Sequence, residues 1–303
     1  MSWEFEVIAG PYASPTDGPV WDGEALLFTQ LAMPAYSPDN RILRYDPQSG
    51  EVSDFRRWTN RTLGLAISAD GILYGCQSTG RRLVRFNADG STSPLGHKLG
   101  GLYHNQPKDL AIDQRGRIWF TDPHGNLREA ANPQIHDKLD HASVLRMEGS
   151  PHQDSPISRM TYDTDAPNAV LLSHDERTLY VSECSEEALG KRELRAYPIL
   201  GDGSLGPYSL LHVFGTDHLG VHRGVSGMCL DNGGNILACA GWKRSGPGPM
   251  IYVFSPEGRV LETHLVPDAE PTNCAFGDTD LATLFVSTRE GHLYRIRNTG
   301  RWG

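Results

Sequence analysis

Six residues recur at one place in a repeating pattern. Asp17, Leu63, Lys108, Asn168, Ser226 and Thr272 each stand five positions before the residue that opens a polar turn, namely Asp22, Ser68, Asp113, Ser173, Asp231 and Gly277. Any one of the polar members is ordinary strand-entrance chemistry, because Asp, Asn and Ser hydrogen-bond their own backbone at turns. Their recurrence argues instead for a shared site built from a carboxylate, an ammonium, an amide and two hydroxyls. Such a set binds a small polar molecule, and Lys108, paired with Asp17 at rest, would face a developing oxyanion during turnover. The plainer alternative is a Lys108–Asp17 or Lys108–Asp109 salt bridge with no chemistry attached. Asn273 takes the place of Thr272 if that strand carries a bulge.

Further candidates flank these positions. His104 in "YHNQPKD" leads into the Lys108 strand and is a candidate proton carrier near neutral pH. Asp109 follows Lys108, and strand alternation turns it to the opposite face, where it braces the ring or borders the substrate. The longest non-repeat insertion, residues 122–143, carries His124, His136 and His141 and is either a lid or solvated surface. "GTDHLGVHRG" sets His222 and Arg223 just before Ser226, and "GWKRSGPGPM" sets Trp242, Lys243 and Arg244 at a strand exit. These groups suit a sugar-acid or carboxylated ligand.

The elements that must position these residues are hairpins. "GPVWDGEALLFT", "GLAISADGILYGC", "DLAIDQRGRIWFTD", "AVLLSHDERTLYVSE", "GMCLDNGGNILACA" and "CAFGDTDLATLFVS" each read as strand, polar turn, strand. Short runs rich in β-branched and aromatic residues, divided by Asp/Gly/Asn turns, are strand signals. Each hairpin is followed by a further segment such as "NRILRYDPQSGEV" or "MIYVFSPEGRVLE", giving four strands per unit. The turns recur roughly every 45 to 60 residues, the spacing of propeller blades and too long for solenoid repeats. The sixth unit lacks its fourth strand, while "EFEVIAG" at 4–10 is a strand without a hairpin, so the N-terminal strand is expected to close the last blade. The fold expected is all-β, a six-bladed β-propeller with four-stranded blades, as a single domain over 1–303; a β-sandwich or a smaller propeller is the alternative. In a propeller the first strand of each hairpin is innermost, and its leading residue sits at one mouth of the central channel.

Composition narrows the partners. The 303 residues carry a formal charge of −9 and no Lys/Arg run, which argues against nucleic acid and anionic membrane and leaves a small molecule. No apolar run approaches a membrane span, and the start "MSWEFEVIAG" lacks a basic region followed by an apolar one, so a cytoplasmic location is expected. Five cysteines without a CxxC pair suit reduced, buried thiols. "GVSGM" is not a nucleophile elbow, since Met228 stands where glycine is needed, and HExxH, P-loop and dinucleotide fingerprints are missing. Oligomeric state is left open.

Through "DGPVW", "QPKDLAIDQRGRIWFTDP", "APNAVLLSHDERTLYVSE", "GVSGMCLDNGGNI" and "PTNCAFG…TLFVS" the chain resembles the SMP-30/gluconolactonase/luciferin-regenerating propellers. That resemblance implies lactone hydrolysis and one divalent cation, Ca²⁺ or Zn²⁺, held by a first-blade Glu, a fourth-blade Asn and a fifth-blade Asp, with a third-blade Asn alongside. The Glu falls on Asp17, the fourth-blade Asn on Asn168, the Asp on Ser226 and the third-blade Asn on Lys108, so Asp17, Asn168 and Ser226 are the implied ligands. Lys108 and Ser226 depart from the pattern: one adds a positive charge and the other removes a carboxylate, and both weaken a hard-cation site. A gluconolactonase-like hydrolase is expected, acting on a lactone or related cyclic ester of a small polar or carboxylated molecule. The alternative is a metal-free propeller that uses Lys108 for different chemistry or only binds its ligand.

Overall fold

The computed structural model describes residues 2–34, 36–124, 139–149 and 152–303. Six four-stranded antiparallel sheets follow one another along the chain, and no helix occurs among the described residues. Each sheet opens with the strand foreseen as innermost: Thr16–Trp21, Thr62–Ile67, Leu110–Ile112, Pro167–Leu172, Val225–Leu230 and Pro271–Gly277. Each of these six strands touches its two neighbours in the set, so together they form a closed ring around a central channel. The strand Glu6–Ala9 pairs antiparallel with Leu293–Ile296 and completes blade 6, with the Glu6 carboxylate accepting from the Arg295 guanidinium at 2.6 and 3.0 Å. No helix is long and apolar enough to cross a membrane.

The second strands of the blades are buried on both faces, which explains why they read as continuous apolar runs rather than as clean alternation. Adjacent residues feed different interfaces. Leu26 packs toward blade 6 with Phe28, Phe285 and Leu293, whereas Leu27 packs toward blade 2 with Ile42, Leu65 and Val84. The same arrangement repeats around the ring, giving one core cluster between each pair of neighbouring blades. The apolar core therefore lies between blades and leaves the channel to polar residues.

Candidate active site at the channel mouth

The ring residues owe their orientation to irregular pairing. In blades 1, 2, 4, 5 and 6 the register between the first two strands shifts where the ring residue sits: Asp17/Val20, Thr62/Leu65, Pro167/Val170, Val225/Gly227 and Pro271/Asn273. A bulge leaves a residue out of the ladder and re-aims its side chain, here toward the channel. In blade 3 Lys108 stands ahead of the strand, its N–H donating to the Thr121 carbonyl at 3.0 Å. Glycines beside the ring residues let neighbouring inner strands close up. A Cβ on Gly18 would collide with the Leu63 carbonyl and one on Gly227 with the Asn273 side chain.

Two connected chambers open at this mouth. The inner one, about 130 Å³, is lined by Asp17, Leu63, Lys108, Arg223, Ser226 and Thr272 together with Arg61, Glu270 and Arg289. The outer one, about 360 Å³, shares Leu63, Lys108 and Arg223 with it and adds Asn168 and His124. Sequence counting therefore brings six ring positions and two flanking residues to one place. It misses Arg61, Cys184, Glu186, Glu270 and Arg289. Several of these follow second strands, such as Thr178–Cys184 and Thr283–Thr288. A hairpin's exit lies beside its entrance, so the ends of the second strands were a readable signal for the same mouth.

Within the chambers, Lys108 Nζ donates to Asn168 Oδ1 rather than to a carboxylate, which replaces the expected salt bridge to Asp17 or Asp109. Asp17 is 6% exposed, and its Oδ1 accepts the Gly18 N–H at 2.8 Å. Burial pushes the Asp17 carboxyl above its ordinary range, against the pull of Lys108, the Gly18 N–H and the Asn273 side chain. Burial pushes Lys108 down, aided by the Arg223 charge and opposed by Asp17. The carboxylate thus becomes a better base and the ammonium a better acid. Ser226 Oγ is buried without a hydrogen-bond partner, an unmet donor in the chamber wall. Thr272 Oγ1 is engaged, donating to the Thr16 carbonyl at 2.7 Å.

Other sequence candidates lie elsewhere. His104 is fully buried, edge-on to Phe120, and burial drives its pKa down to about 3, so it does not exchange protons near neutral pH as expected. Its ring belongs to the blade 2–3 interior, where Phe120 is part of the apolar cluster. Asp109 is a brace rather than a lining residue: its Oδ2 accepts the Val170 N–H at 3.1 Å, tying blade 3 to blade 4. His222 belongs to a separate two-stranded ribbon, Thr216–Asp217 with Gly220–Val221, and lies 3.4 Å from Asp217 outside both chambers. Asn273 turns toward Asp17 and caps its own strand, Oδ1 accepting the Cys274 N–H at 2.8 Å, while Thr272 holds the lining position. His141 bonds Ser143 Oγ at 2.9 Å, and Trp242, Lys243 and Arg244 line neither chamber. His136 falls outside the described residues.

The implied cation ligands do not fit a divalent ion. The Asn168 oxygen already accepts from an ammonium, and the Ser226 carbonyl accepts the Asn168 amide N–H at 3.2 Å. That leaves Asp17 as the one charged donor of the three, where a hard cation needs several oxygens of net negative charge. Among the described residues no cluster of three His, Cys, Asp or Glu side chains is arranged to hold a metal.

Known proteins resemble the chain over nearly its full length. It is 27% identical to a gluconolactonase of Zymomonas mobilis over 309 residues, covering 98% of this chain and 82% of that one. It is 26% identical to a 6-deoxy-6-sulfogluconolactonase of Pseudomonas putida over 259 residues, covering 82% and 76%. A solved gluconolactonase from Xanthomonas campestris superposes with a TM-score of 0.75 at 29% identity, over 97% of this chain and 89% of that one. Residues 15–290 match the description "SMP-30/Gluconolactonase/LRE-like region", and the chain belongs to that family.

Proposed function

We propose that the chain hydrolyses a lactone of a small polar molecule in the inner chamber, using Asp17 and Lys108 without a divalent cation. Family membership and the gluconolactonase relatives support the reaction class. The observation that carries the cation-free version is the Lys108 ammonium seated on the Asn168 oxygen. A lactone carbonyl placed between Lys108 and Ser226 receives hydrogen bonds from the ammonium and from the unpartnered hydroxyl. Asp17 takes a proton from water as the water oxygen bonds to the carbonyl carbon, and negative charge gathers on the carbonyl oxygen facing Lys108. The carbon–ring-oxygen bond then breaks, the leaving oxygen takes the proton held by Asp17, and one water has been consumed to give a hydroxy acid. Burial keeps water scarce around the pair, which strengthens each electrostatic contact.

The test is a lactone panel read by acid release, with protein passed over a chelating resin and assayed in chelator. Turnover of glucono-δ-lactone should persist in chelator and disappear in Lys108→Met. Turnover lost in chelator and restored by Ca²⁺ or Zn²⁺ would overturn the cation-free reading.

A further inference from the structure

The protein carries 37 acidic and 28 basic residues, yet the boundary between its two chambers is cationic. The five residues common to both linings are Leu63 and four cations, Arg61, Lys108, Arg223 and Arg289. Among the described residues the chambers also hold three carboxylates, Asp17, Glu186 and Glu270. Arg223 takes most of that negative charge for itself, lying 2.6 Å from Glu186 and 3.0 Å from Glu270. Among the described residues Arg289 has only the far oxygen of Glu270, at 3.9 Å, and its side chain is 57% exposed at the waist. Lys108 meets a neutral amide. A like-charged cluster of this kind, set in a protein that otherwise repels anions, is costly unless a ligand supplies the missing negative charge.

We infer that the substrate is an acid lactone: its ring lies in the inner chamber against Lys108 and Asp17, and an anionic substituent sits at the waist on Arg289, with Arg61 across from it. The assignment rests on the lactonase reading. Guanidinium groups suit a carboxylate, sulfonate or phosphate alike, because each offers two oxygens to the planar fork. Arg223, held by two carboxylates, orients the waist without neutralising the ligand, and Arg289 is the residue that sets selectivity.

The experiment compares two lactones with the same ring that differ at one substituent, glucaro-1,4-lactone with a carboxylate and glucono-1,4-lactone with a hydroxymethyl group. The acid lactone should be preferred in kcat/KM by at least about tenfold at low salt, with the preference shrinking as salt rises. Arg289→Ala should lower kcat/KM on the acid lactone about ten- to hundredfold, toward the value for the neutral one, and Arg289→Lys should recover part of the loss. Calorimetry with methyl glucuronide and methyl glucoside reads the subsite without turnover. Should neither lactone react, tighter binding of the glucuronide that Arg289→Ala abolishes would uphold the anion subsite while the lactonase reading falls. Equal kcat/KM on the two lactones would overturn the acid-lactone inference and leave the lactonase reading standing, and equal binding of the two glycosides would overturn the inference whether or not the lactones react.

Discussion

Two buried polar clusters meet at blade 3, and only one of them faces a cavity. At the mouth, Asp17, Lys108, Asn168 and Ser226 line open space and leave the Ser226 hydroxyl unmet. Outside both chamber linings, His104 and Asp122 are fully enclosed, with Asp122 Oδ2 accepting the Asn105 N–H at 2.8 Å and the Arg81 Nε donating to the His104 carbonyl at 2.6 Å. Both clusters hold displaced pKa values, His104 near 3 and Asp122 near 7, each through burial first. A displaced pKa therefore does not mark a site by itself. What separates the two clusters is room for a ligand: both hold buried polar atoms without a hydrogen-bond partner, Ser226 Oγ in one and the His104 ring nitrogens in the other, and only the first faces open space.

The largest expected effect is at the mouth. Lys108→Met should reduce kcat on the best lactone by at least about 10²- to 10³-fold, the usual cost of removing one oxyanion donor. Its melting temperature should stay close to that of the parent, since the side chain borders a chamber. A variant that keeps full activity would remove the mouth from the chemistry.

Next in size, Lys108→Asn combined with Ser226→Asp changes the local charge by two and frees the Asn168 oxygen. Each charge within ~4 Å of a cation is worth several kcal/mol at an effective dielectric near 20, before desolvation. Calorimetric titration should show Ca²⁺ or Zn²⁺ affinity rising by one to several orders of magnitude at about 1.4 kcal/mol per tenfold. A parent that already binds divalent metal as tightly as the double variant would show that these two residues do not impair the ring.

The enclosed cluster should answer in stability. Asp122→Ala leaves buried donors unmet and should cost about 2–4 kcal/mol in denaturant unfolding, with kcat of the folded protein retained. The sign of its pH dependence follows from the raised carboxyl. Between the ordinary 3.8 and about 7, folded Asp122 holds a proton that the unfolded chain has released, so its contribution is full below 3.8 and is lost as pH rises toward 7. Asp122→Asn removes that loss, and the variant-minus-parent difference in stability should grow from pH 4 to 7. A difference that is flat across this window would mean the carboxyl is not displaced.

The smallest effect is expected at His104. With a pKa near 3, its ring is neutral throughout the working range, so His104→Leu should leave kcat/KM within about twofold and shift neither limb of the pH profile. Loss of a limb would restore His104 as the proton carrier and dissolve the contrast between the clusters.

Hairpin repetition made the blades legible, and counting back from each turn found the ring because a bulge recurs at the same offset in five blades. Arg61, Glu270 and Arg289 were overlooked because only one offset was counted: Arg61 and Glu270 stand two residues before the ring positions Leu63 and Thr272, and Arg289 directly follows the second strand Thr283–Thr288. Arg61 sits at φ +56° in a stretch where Trp58 and Asn60 also have positive φ, a local path that residue types alone do not show. His104 misled for a related reason. Nearness to Lys108 in sequence says nothing about which side of a sheet a loop takes, and "YHNQ" carries no period from which to judge it.

Closure of the ring by Glu6–Ala9 sets an order of assembly. Five inter-blade interfaces join units that are neighbours in sequence, whereas the sixth joins Leu26 and Phe28 to Phe285 and Leu293, and the Glu6–Arg295 pair spans 289 residues. Contacts of such separation pay their loop entropy before they return any stability, so this seam forms late. Asp17 and the blade 6 residues Thr272 and Arg289 face one another only across that seam. An open arc of five well-formed pairs would thus hold Lys108 and Asn168 correctly and still have no inner chamber, which makes the appearance of turnover during refolding a clock for the final strand's arrival.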